Sequence, residues 1–294
     1  MSPSLVGPRP IFIFGPGRSG TTLLHELLSL HRDLAYFSSW TNRFPHRPAL
    51  ARLSSLRPVP WEARGRPVRR LPAPTEAYRI WLHCFPDFWK INCHACDDGA
   101  GAERLRRVVA AHQRAQRRPR FVAKLTGYPL FPFVKSIFPD AAFVWVDRDP
   151  RAVVFSQWRL GWIRAPLDRI RAGDGPGGPC DPFRWIRLSP GVLPPQDELA
   201  LLADRYLSIR QRLHESHDPY HLVRYEGLIA DPAGTLRRLM EQVGLEPDAR
   251  QTRWVRRWKI HHGANDAWRA GLPRVLADLL TNRLDGVIGL HGYR

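Results

Sequence analysis

Lysine is nearly missing from this chain: four lysines stand against 41 arginines among 294 residues, and the formal net charge is +18. Cysteine is scarce as well, limited to Cys84, Cys93, Cys96 and Cys180. Cys93 and Cys96 form a C-x-x-C around His94, yet no second C-x-x-C or paired-His motif completes the four ligands of a structural zinc site. The pair does not sit at the start of a βαβ unit, where a thioredoxin-like motif belongs, so free thiols are expected. No apolar run approaches the ~20 residues that span a bilayer. The first one, Ile11 to Phe14, is too short for a secretory signal and leads straight into glycines. A cytoplasmic protein with no transmembrane segment is expected. Carboxylates are also missing between Asp33 and Glu62, which restricts where a catalytic acid or base can stand.

What is present suits one large α/β domain spanning residues 1–294, because the length allows a sizeable core and 44% of residues are apolar. The arginine excess favours anionic ligands in general: nucleotides, acidic sugars, nucleic acid or membrane surfaces. It is spread along the chain rather than gathered in a tail. Residues 102–118 read as a helix whose cations, Arg104, Arg106, Arg107, Arg114, Arg117 and Arg118, form a solvated face. Nucleic-acid readers interleave aromatics with charge, and this segment has none, so no nucleic-acid partner is expected.

The chain is organised around residues 11–30, IFIFGPGRSGTTLLHELLSL. A short apolar strand runs into the turn Gly15-Pro16-Gly17, and Leu23, Leu24, Leu27 and Leu28 then mark one face of a helix. Strand, glycine turn and helix N-terminus make an anion site, because unpaired N–H groups and the helix dipole converge there. Arg18 adds a forked cation, Ser19, Thr21 and Thr22 add hydroxyls, and Gly20 lets the backbone curl. The spacing nearly matches the nucleotide loop G-x-x-x-x-G-K-[ST], but Thr21 stands where its lysine belongs. The loop therefore suits a fixed anion better than an ATP–magnesium complex.

Further along, Tyr36-Phe37-Ser38-Ser39-Trp40-Thr41-Asn42 reads either as one wall of a substrate pocket or as a surface loop. Residues 57–74 hold Pro58, Pro60, Pro67, Pro72 and Pro74 among basic residues, an extended surface segment. A helix is predicted from Thr75, with Glu76 at its start. Phe121 to Leu125 read as a buried strand. Lys124 near its end must find a partner, since burying an unpaired ammonium is costly. A strand from Phe143 to Val146 delivers Arg148 to a strand's carboxyl end, where open α/β sheets bind ligands, and Asp149-Pro150 opens the next helix. Ser156 lies eight residues beyond Arg148. Residues 161–198, with their glycine- and proline-rich centre, read as an irregular lid or acceptor loop. A helix over 197–216, a strand over 220–225 and a helix capped by Asp231 and ended by Gly244 follow.

Taken together, these motifs resemble the sulfotransferases. Arg18-Ser19-Gly20-Thr21-Thr22 resembles their loop for the 5′-phosphosulfate of 3′-phosphoadenosine 5′-phosphosulfate (PAPS), in the form of the tyrosylprotein and bacterial branches. Arg148 and Ser156 resemble the pair that grips the 3′-phosphate. Arg224-Tyr225-Glu226-Gly227-Leu228 resembles the R-Y-E-x-L element, whose tyrosine contacts the nucleotide. Residues 254–269 resemble the C-terminal loop that closes on the nucleotide, with Trp268-Arg269 matching and Lys259 nearest to its cofactor lysine. The resemblance implies a P-loop-NTPase-like sulfotransferase fold, a central parallel sheet flanked by helices. It further implies PAPS as co-substrate, no metal, and an acceptor hydroxyl or amine on a carbohydrate, lipid or small molecule. Lys124 matches the lysine that meets the transferring group, and Arg18 shares in the chemistry. Glu76 resembles the glutamate of a bacterial P-x-E element and is the first candidate for general base; its other reading is an acid favouring the helix dipole. His25, His261 and His262 are the spare candidates, since Thr126 stands where the aryl branch has its histidine. Two other function classes stay open: a P-loop kinase or nucleotidase, which the missing loop lysine disfavours, and a non-enzymatic polyanion-binding protein.

Overall fold

The structure, a computed structural model, describes residues 7–56, 72–88, 97–164, 185–187, 193–257 and 262–293. Its centre is a five-stranded parallel sheet in the order β2-β3-β1-β4-β7, built from β1 (Ile11–Gly15), β2 (Leu34–Tyr36), β3 (Arg120–Thr126), β4 (Ala142–Asp147) and β7 (His221–Arg224). The chain first winds one way from β1, through α1 (Thr21–Leu28) to β2. It then crosses back through β3 to β4 on the other side of β1. That reversal opens a crevice at the carboxyl ends of β1, β3 and β4, the place where such sheets bind ligands. Register aligns these ends: Gly15 pairs with Thr126, and Asp147 with Arg224.

Strands β1 to β4 are buried on both faces, unlike the edge strand β7, yet period two still sorts their side chains. Phe12, Phe14, Phe121, Phe143 and Trp145 face one way, into a core shared with α3 (Tyr78–Cys84), α4 (Gly99–Gln116) and α5 (Phe131–Ile137). Ile11, Ile13, Val122, Val144 and Val146 face the other way, onto α1 and α9 (Pro232–Val243). Lys124 shares the second face with Val122 and so points toward α1. A third core joins α6 (Pro150–Arg159), α7 (Pro195–Glu215) and α12 (Arg274–His291). Two helices start as expected, with Asp149 and Asp231 each capping by a side-chain carboxylate, whereas α4 starts at Gly99 behind an Asp98 cap rather than at residue 102. The remaining short elements are α2 (Ser39–Arg43), α8 (Tyr225–Ala230), α10 (Ala249–Arg256) and α11 (Ala267–Gly271).

Several expectations need correction. The polar–aromatic patch at 36–42 is neither pocket wall nor surface loop at its aromatic end. Tyr36 and Phe37 are core residues, and the Phe37 ring lies 4.7 Å from Phe121 and 6.4 Å from Trp81. Ser38 and Thr41 are spent on a reciprocal cap of α2. The stretch 161–198 is not irregular throughout: β5 (Trp162–Arg164) pairs antiparallel with β6 (Trp185–Arg187), and α7 begins at Pro195. The basic face of α4 is only partly solvated. Arg104 donates to the carbonyls of His83 and Cys84, Arg106 to that of Ile137, and Arg118, just past the helix, to those of Ser29 and Leu34. Arg120 likewise holds the carbonyls of Arg9, Val243 and Gly244. Part of the arginine excess thus ties loop carbonyls down. Cys84 is a buried free thiol, its pKa pushed up to about 12 by burial. Cys93 and Cys96 lie outside the described residues, as does the Pro/Arg-rich segment up to residue 71. Among the described residues no helix is long and apolar enough to cross a membrane.

Candidate active site

The loop after β1 alternates backbone hand. Arg18 has φ 75° and Gly20 φ 100°, with Ser19 of ordinary hand between them. That alternation turns successive N–H groups toward one side and makes an anion nest. No side chain caps the N-terminus of α1, and no acid stands in its first turn, so the positive end of the helix faces the crevice. Ser19 is fully buried, and its Oγ has no hydrogen-bond partner. An orphaned hydroxyl inside a cradle of N–H groups fits an anion that brings acceptor oxygens. Gln157 Nε2 holds the loop from below, donating to the Gly17 carbonyl at 2.7 Å.

Gly20 is required twice over. Its φ disfavours any side chain, and a Cβ there would lie 2.4 Å from the Tyr225 ring. Gly20→Ala is expected to cost about 1–3 kcal/mol and lower Tm by several degrees. Gly99→Ala, where a Cβ meets open space at the start of α4, should leave Tm unchanged or slightly raised. Paired thermal melts check both.

Arg148 leaves β4 and lies against the same loop. Its Nη1 donates to the Arg18 carbonyl at 2.9 Å, Nη2 to the Ala264 carbonyl at 2.6 Å, and Nε to Asn265 Oδ1 at 3.0 Å. Its guanidinium stacks 4.4 Å from the centre of the Tyr225 ring, so Tyr225 is wedged between Gly20 and Arg148. Burial pulls the Arg148 pKa below its usual value, against the pull of Tyr225 and Glu226. Arg18 Nε donates to Ser156 Oγ at 3.0 Å. Arg18, Arg148, Ser156 and Tyr225, dispersed over some two hundred residues of chain, therefore share one cleft.

A second group sits at the end of β3. Lys124 Nζ donates to Thr22 Oγ1 at 2.7 Å and stands 3.3 Å from Glu76 Oε1. Thr126 Oγ1 donates to the same carboxylate oxygen. Tyr78 is hydrogen-bonded to Glu76, and its pKa is raised well above the ordinary phenol value by burial and by the Glu76 charge, so it remains a donor. Glu76 reaches this position because Ala77 is left-handed, φ 57°, and because Trp81 Nε1 donates to the Glu76 carbonyl at 3.1 Å. Such a conformation in a non-glycine residue costs about 1–3 kcal/mol and persists only where its surroundings enforce it. Glu76 stands one residue before the α3 cap rather than in the first turn of the helix, and it pairs with Lys124.

The other expected residues fall elsewhere. Thr21 is buried at the start of α1 and Thr22 exposed beside Lys124. His25 is buried on the packed face of α1. Lys259 and His261 lie outside the described residues, as does the side chain of His262, whose backbone opens a 3₁₀ turn to Ala264. Sequence reading missed Tyr78, Asn265 and Gln157. Tyr78 had one local signal, a buried-type aromatic two residues past the candidate carboxylate; the other two join segments more than 110 residues apart.

A doubly wound parallel sheet with a glycine-loop anion cradle, one lysine and two arginines at its carboxyl edge defines an α/β protein of the phosphate-loop kind. The chain belongs to the sulfotransferase family, whose profile matches residues 10–171, more than half of its length. No curated protein matches it in sequence. Among solved structures it is similar to sulfotransferase STF9 from Mycobacterium avium, at 19% identity and a TM-score of 0.61, covering 97% of this chain and 79% of that one. It is also similar to sulfotransferase STF1 from Mycobacterium tuberculosis H37Rv, at 17% identity and a TM-score of 0.51, covering 96% and 78%. These likenesses carry the fold.

Proposed function

We propose that the protein transfers the sulfuryl group of PAPS to a hydroxyl, or an amine, of a small-molecule, lipid or carbohydrate acceptor, and that residues 1–294 act as one sulfotransferase domain. The observation that carries this reading is the shared cleft of Arg18 and Arg148. PAPS is an adenosine with anionic groups at both ends, and two cation-bearing cradles within one crevice match it. The loop amides with Arg18, Ser19, Gly20, Thr21 and Thr22 hold the 5′-phosphosulfate. Arg148 and Ser156 hold the 3′-phosphate, Tyr225 supports that arginine, and Lys259 is the candidate for the cofactor lysine. Lys124 neutralises the charge that grows on the bridging oxygen as the S–O bond breaks. Glu76 takes the acceptor proton as the new O–S bond forms. Positioning and charge neutralisation are what such an in-line transfer demands.

Thermal unfolding with 3′,5′-adenosine diphosphate, the desulfated donor, tests the nucleotide half. A ligand at a hundred times its Kd stabilises by about 2.7 kcal/mol, so Tm should rise by several degrees. ATP with magnesium should do much less. No shift with the diphosphate, together with magnesium-dependent ATP turnover, would replace this reading by a kinase or nucleotidase. No shift together with steeply salt-dependent DNA binding would replace it by a polyanion-binding protein.

A further inference from the structure

Asp147, the last residue of β4, is fully buried directly before Arg148. Its Oδ1 accepts from Arg210 Nη1 at 3.1 Å and from the Tyr206 hydroxyl at 3.4 Å, both on α7. Its Oδ2 lies 3.3 Å from Nδ1 of His291, the last residue of α12. Arg210 Nη2 closes the ring by meeting His291 Nε2. Because a guanidinium only donates, Nε2 must accept, and the imidazole proton then sits on Nδ1, facing Asp147. Oδ2 has no hydrogen-bond partner, so His291 meets Asp147 by proximity alone, while the bond from Arg210 can be accepted only by a neutral imidazole.

We infer that Arg210 and His291 are positioning residues for Arg148, clamping the carboxylate that anchors the end of β4 only while His291 is uncharged. The inference rests on the proposed role of Arg148 in holding the 3′-phosphate. Asp147 is tied on the helix side of the strand end, and the next residue projects into the cleft, so slack at residue 147 moves the guanidinium at residue 148. Arg210 is bonded to both Asp147 and His291, His291 lies against the carboxylate, and neither residue belongs to any motif that marks the site.

The groups facing His291 are Arg210 from α7, Arg224 from β7 and Asp147 from β4, with the Tyr293 ring 6.3 Å away and Glu226 of α8 acting on Tyr293. Burial and the two arginines lower the His291 pKa, and Asp147 opposes them; the net direction is down from 6.5. A histidine whose folded pKa lies below its unfolded one stabilises fully above the unfolded value. That contribution fades as pH falls from about 6.5 toward the folded pKa. The clamp is therefore closed at neutral pH and weakens in acid.

The test measures KM for PAPS, kcat and Tm at pH 7.5 and 5.5 for the full chain, His291→Ala, His291→Gln and Arg148→Ala. Glutamine keeps a donor and an acceptor but does not titrate. His291→Ala should raise KM for PAPS about tenfold at pH 7.5, with kcat within twofold, the scale of a displaced binding group. His291→Gln should stay near wild type at pH 7.5. The 3′-phosphate titrates near pH 6 in every variant, so the readout is the difference between wild type and His291→Gln. The wild-type KM should rise several-fold more steeply toward pH 5.5. A drop in Tm for His291→Ala with an unchanged KM overturns the positioning role. If alanine prevents folding, equal pH slopes for wild type and His291→Gln overturn it. If Arg148→Ala itself leaves KM for PAPS unchanged, the nucleotide reading fails; if only the His291 variants do, the inference fails alone.

Discussion

Arg148→Ala is expected to raise KM for PAPS about a hundredfold while changing kcat only a few-fold. Hydrogen bonds to charged groups contribute about 1.5–3 kcal/mol each. A guanidinium fork gripping a phosphate with two of them supplies about 3 kcal/mol at the low end, and each 1.4 kcal/mol is a factor of ten. The side chain also organises its surroundings, because three of its nitrogens hold the Arg18 carbonyl, the Ala264 carbonyl and Asn265 Oδ1. Truncation releases the C-terminal turn as well as the phosphate. Arg148→Lys should not restore affinity, since a single ammonium cannot serve three acceptors arranged around a planar fork or stack on Tyr225 in the same way. Calorimetric titration with 3′,5′-adenosine diphosphate and with 5′-AMP separates the effects. Wild type should prefer the diphosphate strongly, and the alanine variant should bind the two almost equally. A preference that survives the substitution would place the 3′-phosphate elsewhere.

How far these residues could be read in advance follows from how local their signals are. The loop at 15–22 declares itself because strand, turn and helix are contiguous, and glycine is demanded by a ring 2.4 Å from where a Cβ would be. Arg148 and Ser156 are one strand end and the helix it feeds, again local. Helices with an aspartate cap followed by proline, at Asp149 and Asp231, were legible for the same reason. Glu76 and Lys124 were legible singly but not as a pair. Nothing in an apolar strand ending in lysine says which carboxylate, 48 residues away, will neutralise it. Tyr36 and Phe37 misled because aromatics beside hydroxyls look alike whether they line a pocket or close a core. The buried arginines misled in the opposite direction: a cation on or beside a helix reads as solvated until the carbonyls it grips, up to 89 residues distant, are known. The clamp on Asp147 is a further case, joining residues 63 and 81 apart along the chain.

The other large effect is expected at Lys124 and Glu76, and the pair separates two roles that Glu76 could have. Lys124→Ala should lower kcat by about 10²–10³, the usual loss when one preorganised donor to a developing anion is removed. Glu76→Gln keeps the size of the side chain and its ability to accept from Thr126 and Tyr78, but removes the charge 3.3 Å from the ammonium. If Glu76 served only as counter-ion to Lys124, that change would free the lysine for the donor, lower KM for PAPS and leave kcat intact. If it is the base, KM for PAPS still falls, but kcat drops by about 10²–10⁴. We expect the second pattern, read in single-turnover transfer at saturating PAPS. The double variant should be little worse than the poorer single one, because residues that act as a unit in one step are far from additive. Losses that multiply would mean that the two side chains act on separate steps, and that the ion pair joining β3 to the start of α3 is a structural tie rather than the working centre of the site.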